Sequence, residues 1–291
     1  MKSEEYFHSS LFFLHSTMIC FPNAKINLGL YVVGKRPDGY HNIETVFYPI
    51  PVKDALEIVP SATGNDHFMQ TGIPIGGDPA SNLVMRLLAL LRTKQAIPPL
   101  DIHLLKQIPF GAGLGGGSSD AAFMLKLIND FCSLGLSSGE MEEIAAKIGA
   151  DCPFFIQNRP VFATGTGNIF TPVTISLEGY YFGLVKPPIA VSTPEAYAGV
   201  TPRKPERSLT EVITCPVETW REEMTNDFEA HLFHKYPAIA AIKQQLYDNG
   251  AIYASMSGSG SSVFGLFRES VRIRPLFPDY YVWEGLLPAP F

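Results

Sequence analysis

Basic charge, paired cysteines and long apolar runs are all scarce in this sequence, and each shortage removes a class of function. Lys and Arg number 22 against 28 Asp and Glu, a net charge of -6, so nothing favours a nucleic-acid backbone and no nucleic-acid partner is expected. Cys20, Cys132, Cys152 and Cys215 are widely spread, with no C-x-x-C pair. That excludes a zinc ribbon or dithiol motif and predicts four free thiols in a reducing, cytoplasmic compartment. The apolar stretches fall far short of the roughly 20 residues that cross a bilayer, so no membrane role is expected. Leu11 to Leu14 is too short for a signal-peptide core, and Glu4 and Glu5 are wrong for its basic flank. Residues 1–17 therefore read as an N-terminal extension outside the fold, with Met18 an alternative start.

What remains is a 291-residue chain, 46% hydrophobic and 17% charged, with the composition of a compact soluble enzyme of one large or two moderate domains. Its most informative stretch is Pro109, Phe110, Gly111, Ala112, Gly113, Leu114, Gly115, Gly116, Gly117, Ser118 and Ser119, with five glycines in the seven positions from 111 to 117. Backbone without side chains can approach an anion closely and turn N–H groups toward it, and the helix expected next adds its positive end. The stretch reads as a phosphate cradle. It is not a Walker loop, because no lysine follows until Lys126. Gly111, Gly113 and Gly116 spell G-x-G-x-x-G, but a dinucleotide fold requires a second strand with an acidic end, and here a second helix follows instead.

Around the loop the pattern mixes strands and helices. From Ala24 to Val33 alternation puts Ile26, Leu28, Leu30 and Val32 on one face and Lys25 and Asn27 on the other. Residues 35–39 form a turn, and a return strand starts near Tyr40 and His41. Strands are expected at Ala55–Val59 and Leu100–Leu104, with a helix opening at Asn82 between them. Ser118 or Ser119 is expected to cap the next helix, with Asp120 in its first turn and a buried stripe of Ala121, Met124, Leu125, Ile128 and Phe131. A capping box, Ser137 with Glu140, opens a helix that should stop at Gly149. Pro153 forces the chain out of helical geometry, which leaves Asp151 on a sharp exit where its carboxylate can face a cleft. A strand at Tyr180–Val185 and a capped segment from Thr193 to Tyr197 begin a second half. Helices over about 226–236 and 237–247 follow, and strands at Ala251–Met256 and Ser262–Phe267 flank a second small-residue loop, 257–261. His231 and His234 read as helix surface rather than a metal pair.

Five motifs, in order, carry a resemblance. Ala24-Lys25-Ile26-Asn27-Leu28, the loop through Ser119 and Ser257-Gly258-Ser259-Gly260-Ser261-Ser262-Val263-Phe264 resemble the GHMP small-molecule kinases. Asp38-Gly39-Tyr40-His41 and Gly149-Ala150-Asp151-Cys152-Pro153-Phe154-Phe155 are similar to the branch that phosphorylates a cytidyl-diphosphate methylerythritol. Cys152 departs from the aliphatic residue common there. The resemblance implies an α+β, two-domain fold, with residues 18–173 binding ATP, 174–291 forming the substrate domain, and both ligands in the cleft between them. It implies that ATP, with Mg²⁺, phosphorylates the acceptor's 2-hydroxyl in non-mevalonate isoprenoid synthesis, in a monomer or weak homodimer. Lys25 and Asp151 become the catalytic pair, Asp151 accepting the proton. Residues 109–119 wrap the triphosphate, one of the serines reaching Mg²⁺. Asn27, Tyr40, His41, Thr193 and Tyr197 form the cytidyl pocket, with both tyrosines stacking on cytosine and His41 bonding its edge. No dedicated metal-ligand set is implied. The alternatives are a mevalonate- or homoserine-type GHMP kinase, opposed by Asp38-Gly39-Tyr40-His41; a dinucleotide oxidoreductase, opposed by the missing second strand; and a nucleotide sensor, opposed by retention of Lys25 and Asp151.

Overall fold

Alternating apolar strands and capped amphipathic helices assemble in the computed structural model into three four-stranded sheets, described for residues 17–74, 76 and 78–289. The chain opens with β1 (Met18–Cys20), β2 (Asn23–Lys35), β3 (His41–Lys53), β4 (Ala55–Pro60) and β5 (His67–Gly72). Next come α1 (Leu83–Arg92), β6 (Leu100–Lys106), α2 (Gly116–Phe131), α3 (Ser138–Ala146), α4 (Phe154–Gln157), β7 (Val161–Thr164) and β8 (Ile169–Pro172). The remainder holds β9 (Tyr181–Lys186), α5 (Thr193–Ala198), α6 (Leu209–Val212), α7 (Trp220–Glu223), α8 (Phe228–Lys235), α9 (Pro237–Asp248), β10 (Tyr253–Met256), β11 (Val263–Phe267) and β12 (Tyr281–Leu286). The sheet orders are β1-β4-β6-β5, β2-β3-β7-β8 and β10-β11-β9-β12. Only β5 with β6 is a parallel pair among these strands. The expected extension, residues 1–17, lies outside the described residues save for Thr17.

One core lies between the first sheet and α1 and α2, where Leu56, Ile102 and Leu104 meet Leu87, Leu91, Met124 and Ile128. The other two cores share β2. Ile26 and Leu28 pack with Phe182, Leu184 and Trp220, whereas Leu30 and Val32 pack with Val185, Ile239 and Leu246. The single apolar face expected for this strand is therefore divided. The β2–β3 register shifts between Leu28 and Leu30, and Gly29 sits there at φ +63°. A bulge of this kind reverses the alternation. A Cβ at Gly29 would lie 2.5 Å from Leu209 Cδ2.

The start of α2 also differs from expectation. Neither Ser118 nor Ser119 caps it; Gly115, left-handed at φ +69°, is the capping residue and makes no side-chain bond. Asp120 lies beyond the first turn, buried against Lys106. Helix α3 ends at Ala146, short of Gly149, because the chain is already turning toward Asp151. Strands β1, β5, β7, β8 and β12 carry too few alternating residues to stand out in the sequence. Among the described residues no helix is long and apolar enough to cross a membrane. The four cysteines are unpaired.

Candidate active site

The glycine loop is a seam between the two halves of the molecule. Gly111, Gly113 and Gly115 all have positive φ. At Gly113 a Cβ would stand 1.9 Å from the Ser257 carbonyl oxygen, so only glycine allows the second small-residue loop to come this close. Ser257 Oγ donates to the Gly113 carbonyl at 2.8 Å, and the Lys25 amide donates to the Leu114 carbonyl at 2.9 Å. Asn226 holds the second loop from behind, its Nδ2 donating to the Met256 and Gly258 carbonyls at 2.8 Å each. In sequence Asn226 reads as a helix start; in the structure it precedes α8 and ties down this loop. The first intrahelical bond of α2 runs from the Ser119 amide to the Gly115 carbonyl. The amides of Gly116, Gly117 and Ser118 therefore stand at the helix's positive end, ahead of its bonding ladder.

A cleft of about 270 Å³ lies over this end, lined by Leu83, Lys106 and residues 108–118 with Val191, Thr193 and Ser259. It adjoins a larger cavity of about 660 Å³, sharing Leu83, Phe110 and Gly117 and walled also by Phe68, Gln70, Asn82 and Asp120. Nothing in the sequence between the Ala55–Val59 strand and Asn82 signals this cavity. Phe110 stands 69% exposed at the junction. Of the two loop serines, Ser118 lines the cleft, while the Ser119 hydroxyl is buried without a partner.

Beside the loop, Lys25 and Asp151 meet. Lys25 Nζ lies 3.5 Å from Asp151 Oδ2, 2.8 Å from Asn27 Oδ1 and 4.4 Å from the centre of the Phe47 ring. Asn27 is oriented in turn, because its Nδ2 donates to Thr45 Oγ1 and that hydroxyl donates to the Gly29 carbonyl. This relay aims the amide oxygen of Asn27 at the lysine. Asn27 thus sits beneath Lys25, not on an open pocket wall. Burial pushes the Lys25 ammonium below its ordinary pKa, and the Asp151 carboxylate opposes that shift. Asp151 is about a third exposed (34%), in the turn between α3 and α4; α3 has already ended at Ala146, and Pro153, in helical geometry, opens α4 rather than breaking a helix. Next to it, burial pushes the Cys152 thiol up to about 11, leaving it an inert apolar residue.

The residues expected to hold a cytidyl group are only partly together. His41 stacks on Tyr197, ring centres 4.7 Å apart and 16° from parallel, and Phe228 meets Tyr197 edge-on at 4.8 Å. Burial, then the Asp151 carboxylate, raises the Tyr197 phenol's pKa. Tyr40 is 66% exposed. Thr193, first residue of α5, faces the glycine-loop cleft instead. His234 is exposed on α8, whereas His231 packs against Gly199.

A second ionic site escaped the sequence reading. Lys106 contacts the Asp54 carboxylate and lies 2.7 Å from Asp120 Oδ2, all three buried. The available signal was a lysine in phase with Leu100, Ile102 and Leu104 on the core face of β6. Among the described residues no group of His, Cys, Asp and Glu is suited to hold a metal ion.

Comparison with known proteins places this geometry. Residues 82–159 match the GHMP kinases N terminal domain, and residues 216–274 match the GHMP kinases C terminal model. The chain is 64% identical over 272 residues to 4-diphosphocytidyl-2-C-methyl-D-erythritol kinase of Parabacteroides distasonis, covering 93% of this chain and 100% of the relative. It superposes with a TM-score of 0.80 on a crystal structure of 4-(cytidine 5'-diphospho)-2C-methyl-D-erythritol kinase, at 29% identity over 93% of this chain and 99% of the other. The mevalonate kinase of Methanococcus jannaschii shares the fold, with a TM-score of 0.68 at 16% identity over 94% of this chain and 98% of that one. The chain therefore has the mixed α and β GHMP kinase fold and belongs to the 4-diphosphocytidyl-2-C-methyl-D-erythritol kinase family.

Proposed function

We propose that this chain transfers the γ-phosphoryl group of ATP to the 2-hydroxyl of 4-diphosphocytidyl-2-C-methyl-D-erythritol, in cytoplasmic non-mevalonate isoprenoid synthesis. The observation that carries the reading is the Lys25–Asp151 pair, 3.5 Å apart beside the glycine loop. Asp151 takes the proton as the acceptor oxygen bonds to the γ-phosphorus and the bond to the β-phosphate oxygen breaks, releasing ADP. Lys25 orients that carboxylate and offsets charge on the transferring oxygens. Glycine-loop amides at the start of α2 receive the phosphates, and the 660 Å³ cavity with Phe110 at its mouth suits the base and ribose.

Mg²⁺ binds largely through phosphates and water, with few protein ligands, which fits a site holding no acidic cluster among the described residues. Ser118, on the cleft wall, is the residue we assign to it, and the ion supplies charge neutralisation when bound with ATP. His41, Tyr197 and Tyr40 are assigned to the cytidyl group, and Asn27 to positioning Lys25. We assign residues 18–173 to the nucleotide half and 174–291 to the acceptor half.

The test is a panel of cytidyl-diphosphate methylerythritol, mevalonate and homoserine, each with ATP and Mg²⁺, followed by ADP release and phosphorus NMR of the product. Phosphorylation of the cytidyl compound alone is expected. Consumption of mevalonate or homoserine instead would transfer the assignment to another GHMP kinase.

A further inference from the structure

The glycine loop is tied at both ends by one buried ionic group. Lys106 ends β6, three residues before Pro109, and Asp120 directly follows Ser119; their side chains meet at 2.7 Å. Asp54, which immediately precedes β4, completes the knot. One of its oxygens contacts Lys106, while Oδ1 accepts from the Gln107 amide at 2.5 Å and the Ile108 amide at 2.8 Å. A lysine ammonium withdrawn from water needs opposite charge close by, and here it has two carboxylates. Burial, with Asp54 alongside, raises the Asp120 carboxyl above its ordinary pKa, against the pull of the Lys106 ammonium. The knot also abuts the helix start, since a Cβ on Gly116 would stand 2.8 Å from Ile108 Cγ2 and 3.4 Å from Lys106 Nζ.

We propose that Asp54, Lys106 and Asp120 are positioning residues that close the glycine loop across its base, fixing the phosphate-binding amides of α2 relative to β6. The proposal rests on the reading of residues 109–119 as the ATP cradle. An ion pair serving only general stability could sit anywhere in the core. This one joins the residues that flank the loop and bonds the Gln107 and Ile108 amides that lead into it, so loosening it displaces the cradle at its base, while the Lys25 ammonium keeps its Asn27 partner.

The experiment is steady-state kinetics on Asp120→Ala and Lys106→Gln, with calorimetric binding of ATP and of inorganic tripolyphosphate. Both variants are expected to weaken ATP and tripolyphosphate by the same factor, on the order of ten- to a hundredfold, the scale of a roughly 1 Å misplacement. The acceptor KM should stay within about twofold of wild type, and any fall in kcat at saturating ATP should be smaller than the loss of ATP affinity. Asp120→Asn, which keeps an acceptor for Lys106, should restore most of the affinity. Unchanged ATP affinity in either folded variant overturns the proposal, as does a parallel rise in both KM values. Failure of both variants to fold also overturns it, because the group then holds the core rather than the loop. Wild-type protein that binds neither ATP nor tripolyphosphate would instead overturn the cradle reading on which the proposal stands.

Discussion

Two buried lysines stand on either side of the glycine loop, and their surroundings differ in the one respect that separates chemistry from scaffolding. Lys25 faces a single carboxylate at 3.5 Å that is itself a third exposed, and burial draws its pKa down. Lys106 is enclosed between two carboxylates; burial alone would lower its pKa, but Asp120 and Asp54 outweigh that and hold it above the ordinary value. An ammonium with one open partner can lend its charge to a reacting group. One with two sealed partners has its charge spent within the protein.

Exchange of function between the two sites is the strongest challenge to this contrast. Lys25→Met should lower kcat by roughly 10² to 10⁴ with ATP affinity nearly unchanged, the reverse of the pattern expected for Lys106→Gln. A Lys25→Met enzyme with normal kcat and a raised ATP KM would merge the two lysines into one role. Next in size is Gly115→Val. At φ +69°, with Phe155 only 3.0 Å from the added Cβ and Lys25 Cγ 3.2 Å away, it should disturb cradle and catalytic lysine together. ATP affinity is expected to fall by about 10²-fold, measured by calorimetry on protein whose circular dichroism is unchanged.

Smaller effects sharpen the acceptor side. Tyr197→Ala removes a stacking surface worth roughly 1 to 3 kcal/mol, so the cytidyl acceptor should bind about 5- to 150-fold more weakly while ATP is spared. Equal loss of both ligands would remove Tyr197 from the acceptor site. His41 covers the Tyr197 ring in the structure, so the acceptor's base must displace or share that stack, and His41→Ala should change acceptor affinity without changing kcat for bound substrate.

The mildest perturbation is pH. Because the folded pKa of Lys25 lies below 10.5, its ammonium is lost first on the alkaline side, and kcat should decline there below the ordinary lysine value. Lys106 is shifted the other way. Its contribution to stability is complete below 10.5 and lost only as pH rises through its higher folded value. Activity should therefore fail before the fold does. Coincident loss of kcat and ellipticity on raising the pH would show that the two lysines are not separated.

The candidate site was legible in sequence where it is written contiguously. Five glycines and a lysine on an alternating strand each announce a local constraint, and the structure brings both beside Asp151. Other features depend on partners far along the chain. Asp120 read as a helix-dipole residue because Lys106 and Asp54, the latter 52 residues before Lys106, cannot be paired with it from spacing. The bulge at Gly29 hides in a run that alternates perfectly on paper. The capping role of Gly115 was masked by two serines that are better caps in isolation, and the 660 Å³ cavity is assembled from β5, the start of α1, α2 and the loop between β5 and α1, which no single stretch announces. The stack of His41 on Tyr197 joins β3 to α5, which no local rule connects.

The central claim, that Asp151 is the base that draws the acceptor's proton beside a separately built cradle, is tested most directly on Asp151→Asn. Single-turnover phosphorylation of the cytidyl acceptor should slow by roughly 10² to 10⁴, while calorimetry reports an ATP affinity close to wild type. A slowing of less than about tenfold, or a collapse in the binding of both substrates, would contradict it.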